Sequence, residues 1–166
     1  MVNRFVFVAL VWGFFSGMGC GFQRGGDAAV PVSTRSVELV GSWELDVPAF
    51  VGFMFEVDPR LSQYSEEQRQ AIRGSLEKTV RGTLSVDKGS MRLLLVTQES
   101  KREYRFTWRV TRGDRVNWVL GLTRPGGQEE KGNLRWVGEE RVELDFFPEN
   151  GGARARMEFV RQSGDK

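Results

Sequence analysis

EYRFTWRV, residues 103–110, alternates with a period of two: Tyr104, Phe106, Trp108 and Val110 fall on one side, Glu103, Arg105, Thr107 and Arg109 on the other. Successive side chains leave a pleated strand on opposite faces, so this segment is predicted to be a strand with one face in the core and one in water. The pattern recurs downstream. Val116, Trp118, Leu120 and Leu122 follow a turn at Arg112-Gly113-Asp114; Val142, Leu144 and Phe146 alternate with Glu143 and Asp145; Ala153, Ala155, Met157 and Phe159 alternate with Arg154, Arg156 and Glu158. On this reading Glu143 and Asp145 point to solvent. Shorter runs at Thr83–Asp87, Met91–Gln98 and Asn133–Val137, together with Val37–Asp46, bring the number of strands to eight.

The breaks between these runs carry turn chemistry: Lys88-Gly89, Glu99-Ser100-Lys101, Pro125-Gly126-Gly127, Gly138-Glu139 and Asn150-Gly151-Gly152. Short loops between neighbouring strands imply an antiparallel meander, and eight such strands can close on themselves and leave no edge exposed. The predicted fold class is therefore all-β: an eight-stranded antiparallel up-and-down barrel with one helix inserted after the first strand. That helix spans about Glu66 to Arg81. Ser65-Glu66-Glu67-Gln68 has the S-x-x-Q form of a capping box, and Ile72, Leu76 and Val80 then recur every four residues. Val47–Val57 (VPAFVGFMFEV) fits neither period and reads either as a short helix started by Asp46 and Pro48 or as a loop packed on the core. Either way the insertion is placed to cover one barrel mouth.

The two ends of the chain read differently. Phe5–Phe15 (FVFVALVWGFF), preceded by Arg4, is too short to cross a hydrocarbon core of about 30 Å and has the length of a secretory signal's apolar region. The lone cysteine, Cys20, follows the small residues Ser16, Gly17 and Gly19 and resembles the lipobox of bacterial lipoproteins. That resemblance implies cleavage before Cys20, diacylglycerol on its sulfur and a membrane as partner. An ordinary signal peptide cut nearby would instead leave Cys20 as an odd thiol. Residues 1–19 are thus expected to be a signal peptide and 20–36 a lipidated cysteine with a flexible tether. The barrel domain is expected over 37–162, with 163–166 as a tail. A flexible sixteen-residue tether, at about 5 to 6 Å × √n, holds a domain on the order of 20 Å from the lipid. The expected location is the cell envelope, on its periplasmic or surface face.

Val40-Gly41-Ser42-Trp43 resembles the G-x-W motif that opens lipocalins and bacterial lipocalin-like lipoproteins. The resemblance implies that Trp43 plugs the closed end of the barrel beside Gly41. It also implies that an arginine of the last strand, Arg161 or Arg156, lies across the indole. A helix directly after the first strand is similar to the arrangement in fatty-acid-binding proteins. The implied ligand is an apolar small molecule or lipid, with Phe50, Phe53 and Phe55 as lid or plug and Tyr104, Phe106, Trp108, Trp118 and Trp136 as candidate contacts. An eight-stranded barrel either holds one small ligand or is filled by side chains. Since each aromatic buries about 150–250 Å², these rings, with Phe146 and Phe159, could fill most of the interior. The alternative function is then a structural or protein-interaction module of the envelope.

Composition narrows the chemistry. The chain has no histidine, so the commonest general base and any Ser-His-Asp arrangement are absent, as are metal sites built on histidine. Glu66-Glu67, Glu129-Glu130 and Glu139-Glu140 are placed in a helix's first turn and in loops, where carboxylates face water or the helix dipole. No enzyme activity, cofactor or metal is expected. With 24 Lys+Arg against 22 Asp+Glu, interspersed, the chain lacks the clustered positive charge of a nucleic-acid binder. Arg102, Arg105, Arg109 and Arg112 are read as one solvated strand face or as a reader of anions.

Overall fold

The computed structural model describes residues 35–146 and 155–162, which form a closed eight-stranded barrel in which every strand pairs with its sequence neighbour and β1 pairs with β8. A short helix α1 (Arg35–Leu39) precedes β1 (Gly41–Leu45). Helices α2 (Val47–Val57) and α3 (Glu66–Thr79), joined by a 3-10 turn at Leu61–Gln63, separate β1 from β2 (Arg81–Val86). The meander continues with β3 (Ser90–Val96), β4 (Lys101–Gly113), β5 (Asn117–Thr123), β6 (Glu129–Trp136), β7 (Arg141–Phe146) and β8 (Ala155–Arg161). All pairings are antiparallel.

Each predicted strand is present, with shifted ends. The first is shorter than Val37–Asp46, because residues 35–39 turn helically so that the carbonyls of Glu38, Leu39 and Val40 face side chains of the barrel floor. Val116 lies outside β5 and is 40 % exposed: Asp114 Oδ1 accepts from the amides of both Val116 and Asn117 at 2.7 Å, and the strand starts only after this Asx turn. Glu129 and Glu130 belong to the start of β6 and not to a loop. Asp145 is buried at 9 % exposure, contrary to its expected solvation. It sits on the outer face between Asn133 and Arg156 in register. The signal peptide, Cys20 with residues 20–34 of the tether, the Asn150-Gly151-Gly152 turn and the tail 163–166 lie outside the described residues.

The insertion resolves into two helices with identifiable caps. Asp46 accepts from Ala49 N at 3.1 Å, and Pro48 stands in the first turn, where its missing N–H costs nothing, so the helical alternative for Val47–Val57 is the one adopted. The Ser65/Gln68 capping box forms in both directions at the start of α3, which ends two residues before Arg81. Ile72, Leu76 and Val80 are buried against the barrel, as are Val51 and Met54 of α2. Between the helices, Asp58 is 4 % exposed, accepts from the amide of Arg60 and receives its guanidinium in a fork.

The Arg60 side chain, then its amide and charge, outweigh the cost of burial and hold the Asp58 carboxyl below its ordinary range. A depressed carboxylate contributes stability that is complete above its unfolded pKa and disappears as pH falls through the lower folded value. Asp58→Asn should therefore lose stability at neutral pH and flatten the acid limb of a stability-versus-pH profile measured by urea unfolding. A second expectation concerns Gly82. A Cβ there would stand 2.8 Å from Leu45 Cβ and 3.1 Å from Leu95 Cδ2, so Gly82→Val should cost about 1–3 kcal/mol by overpacking.

Candidate functional site

The two ends of the barrel differ. At the end where β1 begins, Trp43, Trp118 and Trp136 point inward and touch edge to face, with centroids 5.9 Å apart for Trp43/Trp136 and 5.8 Å for Trp118/Trp136. The Trp43 indole N–H donates to Leu39 O at 2.9 Å. Arg161, paired with Trp43 in register, lays its guanidinium 4.3 Å from the Trp43 ring centroid and donates to the carbonyls of Val40 and Glu38. Its partner on the motif is Gly41, whose φ of 140° suits glycine and whose Cβ would come within 3.2 Å of Arg161 Nη1. Arg161, not Arg156, is thus the arginine over the indole. Arg156 is exposed on the outer face and reaches the Phe53 ring of α2 at 5.6 Å.

The structure therefore places Trp118 and Trp136 in the floor with Trp43. Above it the interior is filled. Leu84, Leu93, Leu120, Val142 and Phe159 are 0 % exposed, and Met91, Leu134, Leu144 and Met157 no more than 2 %. A void that admits water would leave exposed surface on its lining, so these side chains close on each other. Phe106 is buried among them. Tyr104 and Trp108 are half-buried, and the Trp108 N–H donates to Asp87 O at 2.9 Å near the floor.

The opposite end is the mouth. The helices cover it from the side of β1 and β8, with Phe50 and Phe55 packed on the core and the Phe55 ring flanked by Arg69 and Arg73 at 5.7 and 5.2 Å. On the far side the pairing of β4 with β5 runs only from Thr107↔Thr123 to Gly113↔Trp118, so Lys101–Phe106 projects past the end of β5. In this notch opens a cleft of about 650 Å³ lined by Arg102, Glu103, Tyr104, Arg105, Arg124, Pro125 and Gln128.

Two inward residues meet at the cleft: Arg124, which the sequence reading does not single out, and Glu130, which it places in a loop. Arg124 and Glu130 form an ion pair with the side chains 7 % and 12 % exposed, Nε to Oε1 at 2.5 Å and Nη2 to Oε2 at 3.2 Å. The Arg124 guanidinium also stands 5.9 and 5.4 Å from the Tyr104 and Phe106 rings. The signal was available: Trp118, Leu120 and Leu122 point inward, and the same parity carried on two residues reaches Arg124. Beside the cleft, Glu103 is held below its ordinary range by Arg105 and then Arg92. Among the described residues no cluster of three or more carboxylates, cysteines or histidines could hold a metal.

No protein-family model matches the chain, and neither does any curated protein. Among solved structures, a protein described as REP1-NXSQ fatty acid transporter is similar at 10% identity and a TM-score of 0.36, over 78% of this chain and 99% of that one. Lipid binding protein 8 of Caenorhabditis elegans is similar at 12% identity and 0.34, over 80% and 100%. As-p18, an extracellular fatty acid binding protein, gives 9% and 0.34, over 75% and 96%. TM-scores this low carry no argument about function, and the fold rests on the closed strand order itself.

Replacing Trp43 with alanine should destabilise the domain by about 3–5 kcal/mol, because it removes a fully buried ring and strands the Arg161 guanidinium. Gly41→Ala should cost less but measurably, since an L side chain is strained at that φ. Chemical denaturation of both variants, followed by tryptophan fluorescence, checks the order.

Proposed function

We propose that this chain is an exported, membrane-tethered binding protein, not an enzyme, and that it holds a lipid or similar amphiphile at the mouth of its barrel. The observation that carries this reading is the cleft in the notch between β4 and the β5–β6 turn. Its volume falls within the usual range for small-molecule sites, about 300–1,000 Å³. Its chemistry suits an amphiphile: guanidinium groups at the rim meet a polar head, while Tyr104 offers an aromatic face to the start of an acyl chain. Because the interior beneath is filled, the apolar part of the ligand lies along the mouth, under the Phe50 and Phe55 side of the helical cover, and does not descend to the tryptophan floor. Lipidation at Cys20 would keep the site within tether length of its ligand's source.

The packed interior specifically favours a second reading, in which the barrel is a structural or protein-interaction module of the envelope and the cleft is incidental. Lipid extraction and mass spectrometry of the purified protein separate the two. Binding predicts a copurifying lipid and displaceable binding of a fluorescent fatty-acid analogue, weakened about tenfold, or about 1.4 kcal/mol, by Tyr104→Ala. No lipid and no analogue binding, together with a stable partner in crosslinking, would establish the second reading. Cys20→Ser should shift the protein from the membrane to the soluble fraction.

A further inference from the structure

The barrel wall is electrically lopsided in a way that its near-neutral composition hides. Six cations project outward from β2, β3 and β4: Arg81, Arg92, Lys101, Arg105, Arg109 and Arg112, all exposed, against one outward carboxylate on β2 to β5, Glu103. The wall formed by β6, β7, β8 and β1 carries four cations and five carboxylates, largely neutralised in the pairs Arg135–Glu143, Arg156–Glu143 and Arg141–Glu158. On the cationic wall Arg92 and Arg105 stand directly opposite each other in register, and both draw on Glu103. Like charges paired across strands disfavour the isolated sheet, and the single Glu103 carboxylate offsets only one of the two. Among the described residues Arg109 pairs with Glu129 at 3.6 Å, both side chains more than 70 % exposed, a pair worth little in water.

We infer that this wall, β2 to β4, docks side-on against an anionic phospholipid surface. Three observations select a bilayer as the occupant. The outward positions beside the cations on β3 are Leu94 and Val96, half-buried apolar side chains suited to the headgroup boundary. The row runs the length of β4, from Lys101 at the mouth to Arg112 at the floor, which matches an extended charged plane and not a point ligand. Residues Arg102–Arg105 of the same strand line the cleft, so docking would bring the proposed lipid site to the lipid. Each Lys or Arg held near an anionic membrane adds to the attraction, so even partial engagement of six outweighs thermal energy. The docking rests on the charge of this wall and its apolar neighbours, and on the membrane tether of the proposed function for its nearness to lipid; it can hold or fail independently of ligand binding.

The test uses the full chain anchored in vesicles, so that the readout is orientation and not attachment. An environment-sensitive dye on Thr107→Cys, exposed between Arg105 and Arg109, reports the cationic wall; the same dye on Glu44→Cys reports β1. Quenching by headgroup-labelled nitroxide lipid should be several-fold stronger at position 107 in vesicles of phosphatidylcholine with about one-third phosphatidylglycerol than in phosphatidylcholine alone. It should remain weak at position 44. It should vanish at about 1 M salt, where the screening length is about 3 Å. Arg109→Glu with Arg112→Glu, two exposed side chains of the same wall that do not line the cleft, should lower it to the neutral-vesicle level while leaving fatty-acid-analogue binding measurable. Equal quenching in both vesicle types, or at both dye positions, overturns the proposal and leaves the wall to an acidic macromolecule.

Discussion

Closure of β1 onto β8 is the constraint on which the rest of this molecule depends. Only with that seam made does the sheet lose its edges and the inward faces of eight strands meet. The seam is short, Trp43↔Arg161 to Leu45↔Phe159, and it is reinforced from both sides. Inside, Arg161 lies on the Trp43 ring and ties α1 to the floor through backbone carbonyls. Outside, Arg141 of β7 spans Glu158 of β8 and Asp46 after β1. Asp46 has a double role: one carboxylate oxygen caps α2 and the other meets Arg141, while its amide donates to Glu158 O at 2.8 Å. The helical cover is thereby fastened to the same strands that complete the barrel.

Filling the barrel has consequences for function. Three tryptophans, two phenylalanines and a layer of leucines and methionines leave the lower interior closed, so whatever the protein binds is handled at its rim. There the sequence keeps charge: Arg124 and Glu130 point into the barrel where apolar residues would pack more cheaply. A buried pair of this kind compensates each ion's desolvation without adding much stability, and it preserves a polar, orientated lining at the top of the core.

Alternation made the strands legible, because one face of each is dry and the other wet, and every predicted strand is in the barrel. The capping box at Ser65 fixed α3 to the residue at its start. Val47–Val57 resisted because α2 meets the barrel, α3 and β8 at once, so its apolar residues surround the helix and show no single stripe. Asp145 was misjudged for a related reason: parity tells which wall a side chain leaves by, but neighbours on that wall decide whether water reaches it. Next to the Pro125-Gly126-Gly127 turn, the glutamate pair Glu129-Glu130 suggests a loop, yet Glu130 points inward opposite Leu122. The choice between Arg156 and Arg161 for the arginine over Trp43 is already legible in strand parity, since the two differ by an odd number of positions and so leave opposite faces of β8; the register adds that Arg161 stands opposite Trp43.

By itself the sequence determined the order of strands, their two-faced character, the helical insertion and the absence of histidine chemistry, since each of these is local or compositional. Tertiary structure decided what no local pattern encodes. It assembled residues far apart in the chain into a tryptophan floor and filled the space above it. It set β4 to outrun β5, which opened the cleft, and collected the cations of three neighbouring strands on one wall. The physical reason is the same throughout: side-chain parity is a property of one strand, whereas cavity, burial and field are sums over all the strands that closure brings together.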